Sequence, residues 1–224
     1  MKFYQKLDGG VLVSAREYDV ASDAAIAEGQ VVKLSDGLVV SAAADETGAI
    51  LGIAAESHSG AADVFDPRAD GTKILVIDDP DVVMQCAAPK VTALAGSATT
   101  LEVTALKSFA ADDFNGGYVK LLAKADGSTN TDPVGRVRRI TDFALDGETP
   151  TKGILTVESG GAAYAGDVYA VFPPVGFSKG GLNSAKNGLV LTSAVNLPLK
   201  VIGHDKSFGT VFLVAKKHVL AVGA

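Results

Sequence analysis

The stretch LEVTA, which begins at Leu101, alternates apolar and polar side chains more clearly than the rest of the chain. On an extended backbone, successive side chains point to opposite faces. Leu101, Val103 and Ala105 would therefore share one face, while Glu102 and Thr104 would point the other way. This period of two predicts a β-strand with one buried face and one solvated face.

Turn signals divide the remaining sequence into short segments. They contain glycine, which adopts the positive φ angles of hairpin turns without steric cost. They lie at residues 8–10, 35–37, 70–71, 115–117, 126–127, 146–147, 159–161 and 187–188. Runs rich in β-branched residues lie between them, at 31–34, 74–77, 82–84, 119–122, 154–157, 168–172 and 211–214. Short strands at this spacing predict an all-β fold, a small barrel or sandwich with minimal helix.

Helix signals are thin and concentrate in one segment. Ser22 and Asp23 form a cap-like start and Gly29 supplies a stop, which suffices for about two turns of helix. A structured loop leading into a strand is the alternative for these residues. We therefore expect helix in under about a fifth of the chain.

Two proline-containing segments suggest domain boundaries, one near Ala88-Pro89 and one near Pro173-Pro174. Between them the sequence is richer in charge and has its own run of hairpin signals. We therefore predict a discontinuous β domain made of residues 1–88 and 185–224, with residues 89–184 inserted as a second β module.

The composition argues against several classes of function. A net charge of −6 gives no dense basic surface for nucleic acid, since binding phosphates needs clustered Lys and Arg. Cys86 is the single cysteine, which excludes an intramolecular disulfide and a cysteine-based metal cluster. The apolar runs fall far short of the ~20 residues that a membrane helix needs. We expect a protein made in the cytoplasm, with no cofactor, no nucleic-acid partner and no membrane contact.

One motif match concerns catalysis. Residues 176–180, GFSKG, fit the G-x-S-x-G pattern of a nucleophile elbow, with Ser178 as nucleophile and His204 or His218 downstream as base. The elbow needs a strand before the serine and a helix after it, whereas prolines precede this motif and Gly180-Gly181 follows it. A glycine-rich loop is the favoured interpretation, and a serine hydrolase is the alternative.

An acidic run at residues 78–81, DDPD, raises the question of calcium, which prefers several carboxylate oxygens. The run lacks the glycine and the terminal glutamate of a calcium-binding loop, and Asp-Pro favours a plain turn. The three histidines also lack the spacing of metal ligands. We predict a turn here and no metal site.

The stretch AIAEGQVVKLSDGLVVSAAADETGAILGIAAES, residues 25–57, resembles the core of phage capsid decoration (cement) proteins and related head proteins. In that family a glycine-led strand and a dipeptide turn are followed by a short strand and a G-I-A strand, which matches Gly52-Ile53-Ala54.

A second patch, starting at Phe114, resembles a β module common in phage structural proteins. Its pattern is a glycine-led strand, a polar loop, G-x-x-R-x-I-T, a T-V strand and then G-D-x-Y. The matching residues are Gly135, Arg138 or Arg139, Ile140-Thr141, Thr156-Val157 and Gly166-Asp167-Val168-Tyr169.

The resemblance implies a non-catalytic structural protein of a bacteriophage virion. Such a subunit sits on the outer capsid surface and stabilises the shell by multivalent binding to the major capsid protein. A β protein of the tail, baseplate or fibre is the alternative. The resemblance implies no catalytic residue.

The densest basic cluster, Arg136, Arg138 and Arg139, is a candidate partner contact. On a strand, Arg136 and Arg138 share a face and Arg139 opposes them. The cluster is either a solvated or cross-strand-paired face, or a contact with an acidic neighbouring subunit, where charges set register and association rate.

The first residues are a second candidate contact, with Phe3, Gln5 and Leu7 on one side of an extended segment. A terminal strand can add to the sheet edge of a partner. We expect this arm to become ordered only on binding, in a protein that assembles with itself as a homotrimer or another small ring. An ordinary first strand of the chain's own sheet is the alternative.

Overall fold

The structure is a computed structural model that describes residues 1–6, 14–21, 23–59, 73–148, 150–192 and 194–220. Strands account for 45% of the residues and helical turns for 2%. The strands form several antiparallel sheets, and these described residues contain no closed barrel. The predicted all-β fold with minimal helix is confirmed.

The largest sheet has seven strands, all from the middle of the chain. In spatial order they are β8 (Lys90–Thr92), β14 (Val168–Phe172), β11 (Tyr118–Ala123), β12 (Val137–Leu145), β13 (Gly153–Val157), β10 (Thr100–Val103) and β9 (Ala95–Gly96). Leu101 and Val103 of β10 are buried, as the alternation predicts. The strand ends at Val103, and a 3₁₀ turn over Thr104–Leu106 takes Ala105 off that face.

A four-stranded sheet combines the two ends of the described chain. Its order is β1 (Lys2–Lys6), β7 (Val82–Ala87), β18 (Thr210–Ala215) and β17 (Leu199–Asp205). A short two-stranded ladder, β15 (Gly181–Leu182) and β16 (Leu189–Val190), lies in the connection before β17.

A five-stranded sheet holds the earlier part of the chain. Its order is β2 (Ala15–Asp19), β6 (Lys73–Ile77), β5 (Gly52–Ala54), β3 (Val31–Ser35) and β4 (Leu38–Ser41). Asp36 and Gly37, with φ of 52° and 83°, make the two-residue turn between β3 and β4. Positive φ at both positions suits the right-handed twist of a hairpin, so the Asp-Gly signal was informative.

Two hydrophobic cores hold these sheets. One runs from Met84 of the four-stranded sheet to Phe172 of the seven-stranded sheet and includes the ring cluster of Phe109, Phe114 and Phe177. The other lies under the five-stranded sheet and is built from small aliphatic residues such as Val32. The larger core also includes Val31 and Ile53 of the five-stranded sheet, so all three sheets contribute to it. The division into a discontinuous domain and an inserted module at 89–184 stays a prediction.

The helix considered for residues 22–29 does not form over the described residues 23–29. Residues 23–29 form turns and an isolated bridge, in which Ile26 pairs with His58. Gly29 has a φ of 81°, so the backbone reverses there before β3 begins. The alternative, a structured loop leading into a strand, is confirmed.

Candidate functional site

The second motif converges on one buried cluster. Arg138 of β12 and Tyr169 of β14 lie on strands that both pair with β11, and Asp167 directly precedes β14. Asn130 and Asp132 come from the loop between β11 and β12. All five side chains are buried, with Arg138 only 2% exposed and Asp167 0% exposed. We call these five residues the buried polar cluster.

Asp167 ties two loops together. Its carboxylate accepts hydrogen bonds from the backbone N–H of Ala125 at 2.9 Å and of Tyr164 at 3.3 Å. The Asn130 amide donates to the same carboxylate and to the Tyr169 hydroxyl, each at 2.9 Å. Burial raises the pKa of Asp167, but these hydrogen bonds outweigh it and lower the pKa below its ordinary value. Asp167 is therefore an ionised anchor.

Arg138 carries the opposite charge into the cluster. Its Nε lies 3.3 Å from Asp132 Oδ2, and its Nη1 donates to the Ala98 carbonyl at 3.2 Å. Asp132 Oδ1 accepts the backbone N–H of Gly161 at 2.9 Å. A buried guanidinium is tolerated only when it is paired and hydrogen-bonded, and this one joins β12 to the turns on both sides.

Gly161 leaves room for this arrangement. A Cβ built on it would lie 2.3 Å from Asn130 Oδ1 and 2.6 Å from the backbone nitrogen of Asp132. Both distances are far below van der Waals contact, so the loop and the turn approach each other only because the side chain is absent.

The buried polar cluster has the chemistry of a structural hydrogen-bond network. Asp167 stays ionised, and burial raises the pKa of the Tyr169 hydroxyl above its ordinary value, so that group stays protonated. A general acid or base works best with a pKa near the operating pH, and neither group meets that condition. The cluster fixes loops against the seven-stranded sheet.

Ser178 lies in a connecting segment, as predicted for a glycine-rich loop. No helix follows it in the described part of the segment before β17. The Lys216 ammonium donates to Ser178 Oγ at 3.0 Å, and a protonated lysine has no lone pair with which to take a proton. The geometry of a nucleophile elbow is absent here.

The two downstream histidines serve other contacts. His204 packs edge-on against the rings of Tyr118 and Phe172, and burial lowers its pKa. His218 accepts the Leu220 N–H on Nδ1 at 3.0 Å, and burial again lowers its pKa. Among the described residues, the Ser178 hydroxyl bonds to Lys216 and to neither histidine ring, so a serine–histidine pair is not formed.

The acidic run at residues 78–81 forms the predicted turn. Asp78 is buried, accepts the Tyr18 hydroxyl and lies 3.6 Å from the Arg16 guanidinium. Asp79 accepts the N–H of Asp81 at 3.0 Å. Among the described residues, no group of three or more His, Cys, Asp or Glu side chains is arranged to hold a metal ion.

The arginine cluster divides in a way that the sequence prediction missed. Arg136 lies in the turn before β12 and is exposed, and Arg139 is exposed on the strand. Arg138 is buried with Asp132, so its assignment as a partner contact is wrong. It shares a strand face with the buried Ile140, two residues on, and that spacing was the available signal. Contact through Arg136 and Arg139 stays a prediction.

The N-terminal segment pairs within the chain. The backbone of β1 runs antiparallel to β7, with Phe3 opposite Met84 and Gln5 opposite Val83 across an irregularity in register. The expectation of an arm ordered only on binding is therefore wrong, because β7 offers it a hydrogen-bonding edge. Leu7 lies outside the described residues. Since β1 is an edge strand, a partner contact there stays a prediction.

Sequence reasoning also missed Phe208, which is 83% exposed at the tip of the β17–β18 hairpin. The available signal was an aromatic residue inside a turn sequence, Asp205-Lys206-Ser207-Phe208-Gly209, where a buried side chain is unexpected. The pattern of apolar residues in the strands carried no information about it.

No known family model matches the chain, and no curated protein and no solved structure is significantly similar to it. None of the helical segments among the described residues has the length and apolar character needed to cross a membrane.

Proposed function

We propose that this chain is a non-catalytic structural protein of a bacteriophage particle. It decorates the outer surface of the capsid shell and stabilises the shell by binding the major capsid protein in many copies. The subunits bind as trimers or other small rings.

The observation that carries the proposal is the position of the motif residues. Three side chains of the second motif, Asp167, Tyr169 and Arg138 (one of its two candidate arginines), meet in the buried polar cluster and hold loops in place. In the first patch, Gly52 lies where a Cβ would come within 1.9 Å of the Ile77 carbonyl oxygen. Both patches therefore serve architecture, which supports a structural role.

A β subunit whose binding surface is ordered before it binds is suited to holding neighbouring capsid subunits together. Each interface loses little conformational freedom on association, so that more of the contact energy appears as affinity. Repetition over a symmetric shell multiplies weak contacts, because each further contact of a bound ring forms at high effective concentration.

Co-sedimentation tests the proposal with shells assembled from the major capsid protein of the same genome. We expect saturable binding at many copies per shell and a higher melting temperature of the decorated shell. Binding to isolated tails but not to shells would contradict decoration. Covalent labelling of Ser178 by a fluorophosphonate probe would contradict the non-catalytic role.

A further inference from the structure

The hairpin formed by residues 205–209, the Phe208 hairpin, presents a large apolar side chain to solvent. Phe208 is 83% exposed, the highest fraction among the exposed large hydrophobic residues of the described chain. A folded protein gains nothing by exposing a phenyl ring, and exposed aromatic residues are enriched at the centres of protein interfaces.

The backbone of the Phe208 hairpin is fixed from three sides. Asp205 Oδ1 accepts the N–H of Ser207 at 2.8 Å and of Phe208 at 3.2 Å. The Lys120 ammonium donates to the carbonyls of Lys206 at 2.8 Å and Ser207 at 2.9 Å. The Gly209 carbonyl accepts the Ala88 N–H at 2.8 Å. The ring is therefore held on an ordered turn, which lowers the entropic cost of binding through it.

Two lysine ammonium groups lie at the Phe208 hairpin. The Lys206 ammonium lies 3.7 Å above the centre of the Tyr118 ring, and Lys120 is held against the turn. Within the described residues, neither lysine forms an ion pair with a carboxylate. The Asp205 carboxylate is taken up by backbone N–H groups. Two lysines against one aspartate leave the Phe208 hairpin with a positive local charge, on a chain of net charge −6.

A recess lies beside the ring. It has a volume of about 530 Å³, and its walls include Phe208, Gln85 and Thr210 together with one basic and one acidic residue, Lys2 and Glu28. A partner could therefore both receive the projecting ring and insert a side chain into the recess. Hot-spot residues of interfaces cluster where such contacts become well packed in the complex.

We infer that the Phe208 hairpin is the surface by which this protein docks on an acidic protein surface that contains an apolar pocket. Phe208 fills the pocket, while Lys206 and Lys120 draw the acidic rim towards it and set the orientation. The inference rests on the proposed function, since it identifies the attachment surface and the chemistry expected of the capsid partner. Two lysines are too few for strong binding to the phosphates of nucleic acid, which favours a protein partner.

Binding of three variants to shells of the major capsid protein of the same genome tests this inference. We expect F208S to weaken binding at least about thirtyfold, as for a hot-spot residue. K206E should weaken binding about tenfold, and the loss should shrink at high salt because the attraction is screened. V175S is the matched control, since Val175 is an exposed apolar residue (67%) in another turn. It should bind within about twofold of the unmodified protein.

The outcomes separate the two ideas. If the unmodified protein binds shells and F208S binds equally well, the docking surface is wrong while decoration stands. If the unmodified protein binds no shells, decoration fails and the docking surface fails with it. If the unmodified protein forms a discrete oligomer without shells that F208S abolishes, a second copy covers Phe208 and the inference is overturned. Binding of nucleic acid that F208S abolishes would overturn it as well.

Discussion

The buried polar cluster and the Phe208 hairpin share one structural feature, but the first lies inside the protein and the second presents a side chain to solvent. In each, an aspartate carboxylate accepts two backbone N–H groups and so fixes a turn: Asp167 does this inside the protein and Asp205 near its surface. Inside, the fixed turns lie beside the buried ion pair of Arg138 and Asp132. At the surface, the fixed turn holds an apolar ring outwards. Rigidity thus serves stability in one region and presentation in the other.

The largest expected loss of stability comes from removing the Arg138 guanidinium, which is the positive charge within the buried polar cluster. R138A should lower the free energy of unfolding by about 3–5 kcal/mol, because it leaves the Asp132 carboxylate buried without its partner. Equilibrium unfolding in urea measures the loss.

Arg139 provides the matched control, since it is the next residue on the same strand and its side chain is exposed. R139A should change the free energy of unfolding by no more than about 0.5 kcal/mol. If R138A lowered the free energy of unfolding no more than R139A does, the ion pair would contribute nothing to stability. The buried polar cluster would then not differ from the Phe208 hairpin in stabilising the fold.

The second effect tests the close approach at Gly161. G161A should cost about 2–3 kcal/mol, because the new methyl group meets Asn130 Oδ1 and the Asp132 backbone, and the loop must shift. Urea unfolding again measures the change.

The control for this substitution is G203A. A Cβ on Gly203 meets only Phe212 Cδ2, at an ordinary contact distance of 3.7 Å. G203A should therefore be neutral or slightly stabilising, since alanine restricts the unfolded chain. Equal losses at the two glycines would mean that backbone freedom, and not the space beside the cluster, explains the cost.

These sites show how far the sequence alone could reach. Alternation and turn chemistry predicted the strand at Leu101 and the hairpin at Asp36-Gly37, because both depend on neighbours in sequence. The burial of Arg138 depends on Asp132 and the Ala98 carbonyl, which the fold brings together from separate segments. The turn that carries Phe208 is bonded to Lys120, which is remote from it in sequence. Local patterns signal the burial of Arg138 and the exposure of Phe208 only through their positions on a strand and in a turn, and they do not identify these remote partners.

The third effect concerns acid stability. The pKa of Asp167 is lowered from its ordinary value of 3.8, so the unfolded chain binds this proton more readily than the folded one. The stabilisation is present above the ordinary pKa and is lost as the pH falls through the folded value. D167N should cost about 1–2 kcal/mol at neutral pH, because an amide group then faces backbone donors.

The same variant should flatten the dependence of stability on pH below about pH 4. Some slope remains in both proteins, since hydrogen bonds also lower the pKa values of Glu46 and Asp146. Melting temperatures measured from neutral to acidic pH give the two curves. Parallel curves would show that Asp167 does not contribute to acid unfolding, and its role as an ionised anchor would be wrong.

The smallest expected effect falls on the Phe208 hairpin itself. F208S should change the free energy of unfolding by less than about 0.5 kcal/mol, because the ring is 83% exposed and packs against little of the protein. The turn should persist, since the hydrogen bonds from Asp205 and Lys120 are made to backbone atoms that serine also has. For comparison, F109A removes a ring that is 1% exposed and should cost about 3–5 kcal/mol. A large loss of stability in F208S would mean that the ring supports the fold, and Phe208 would then belong with the buried region as a structural residue.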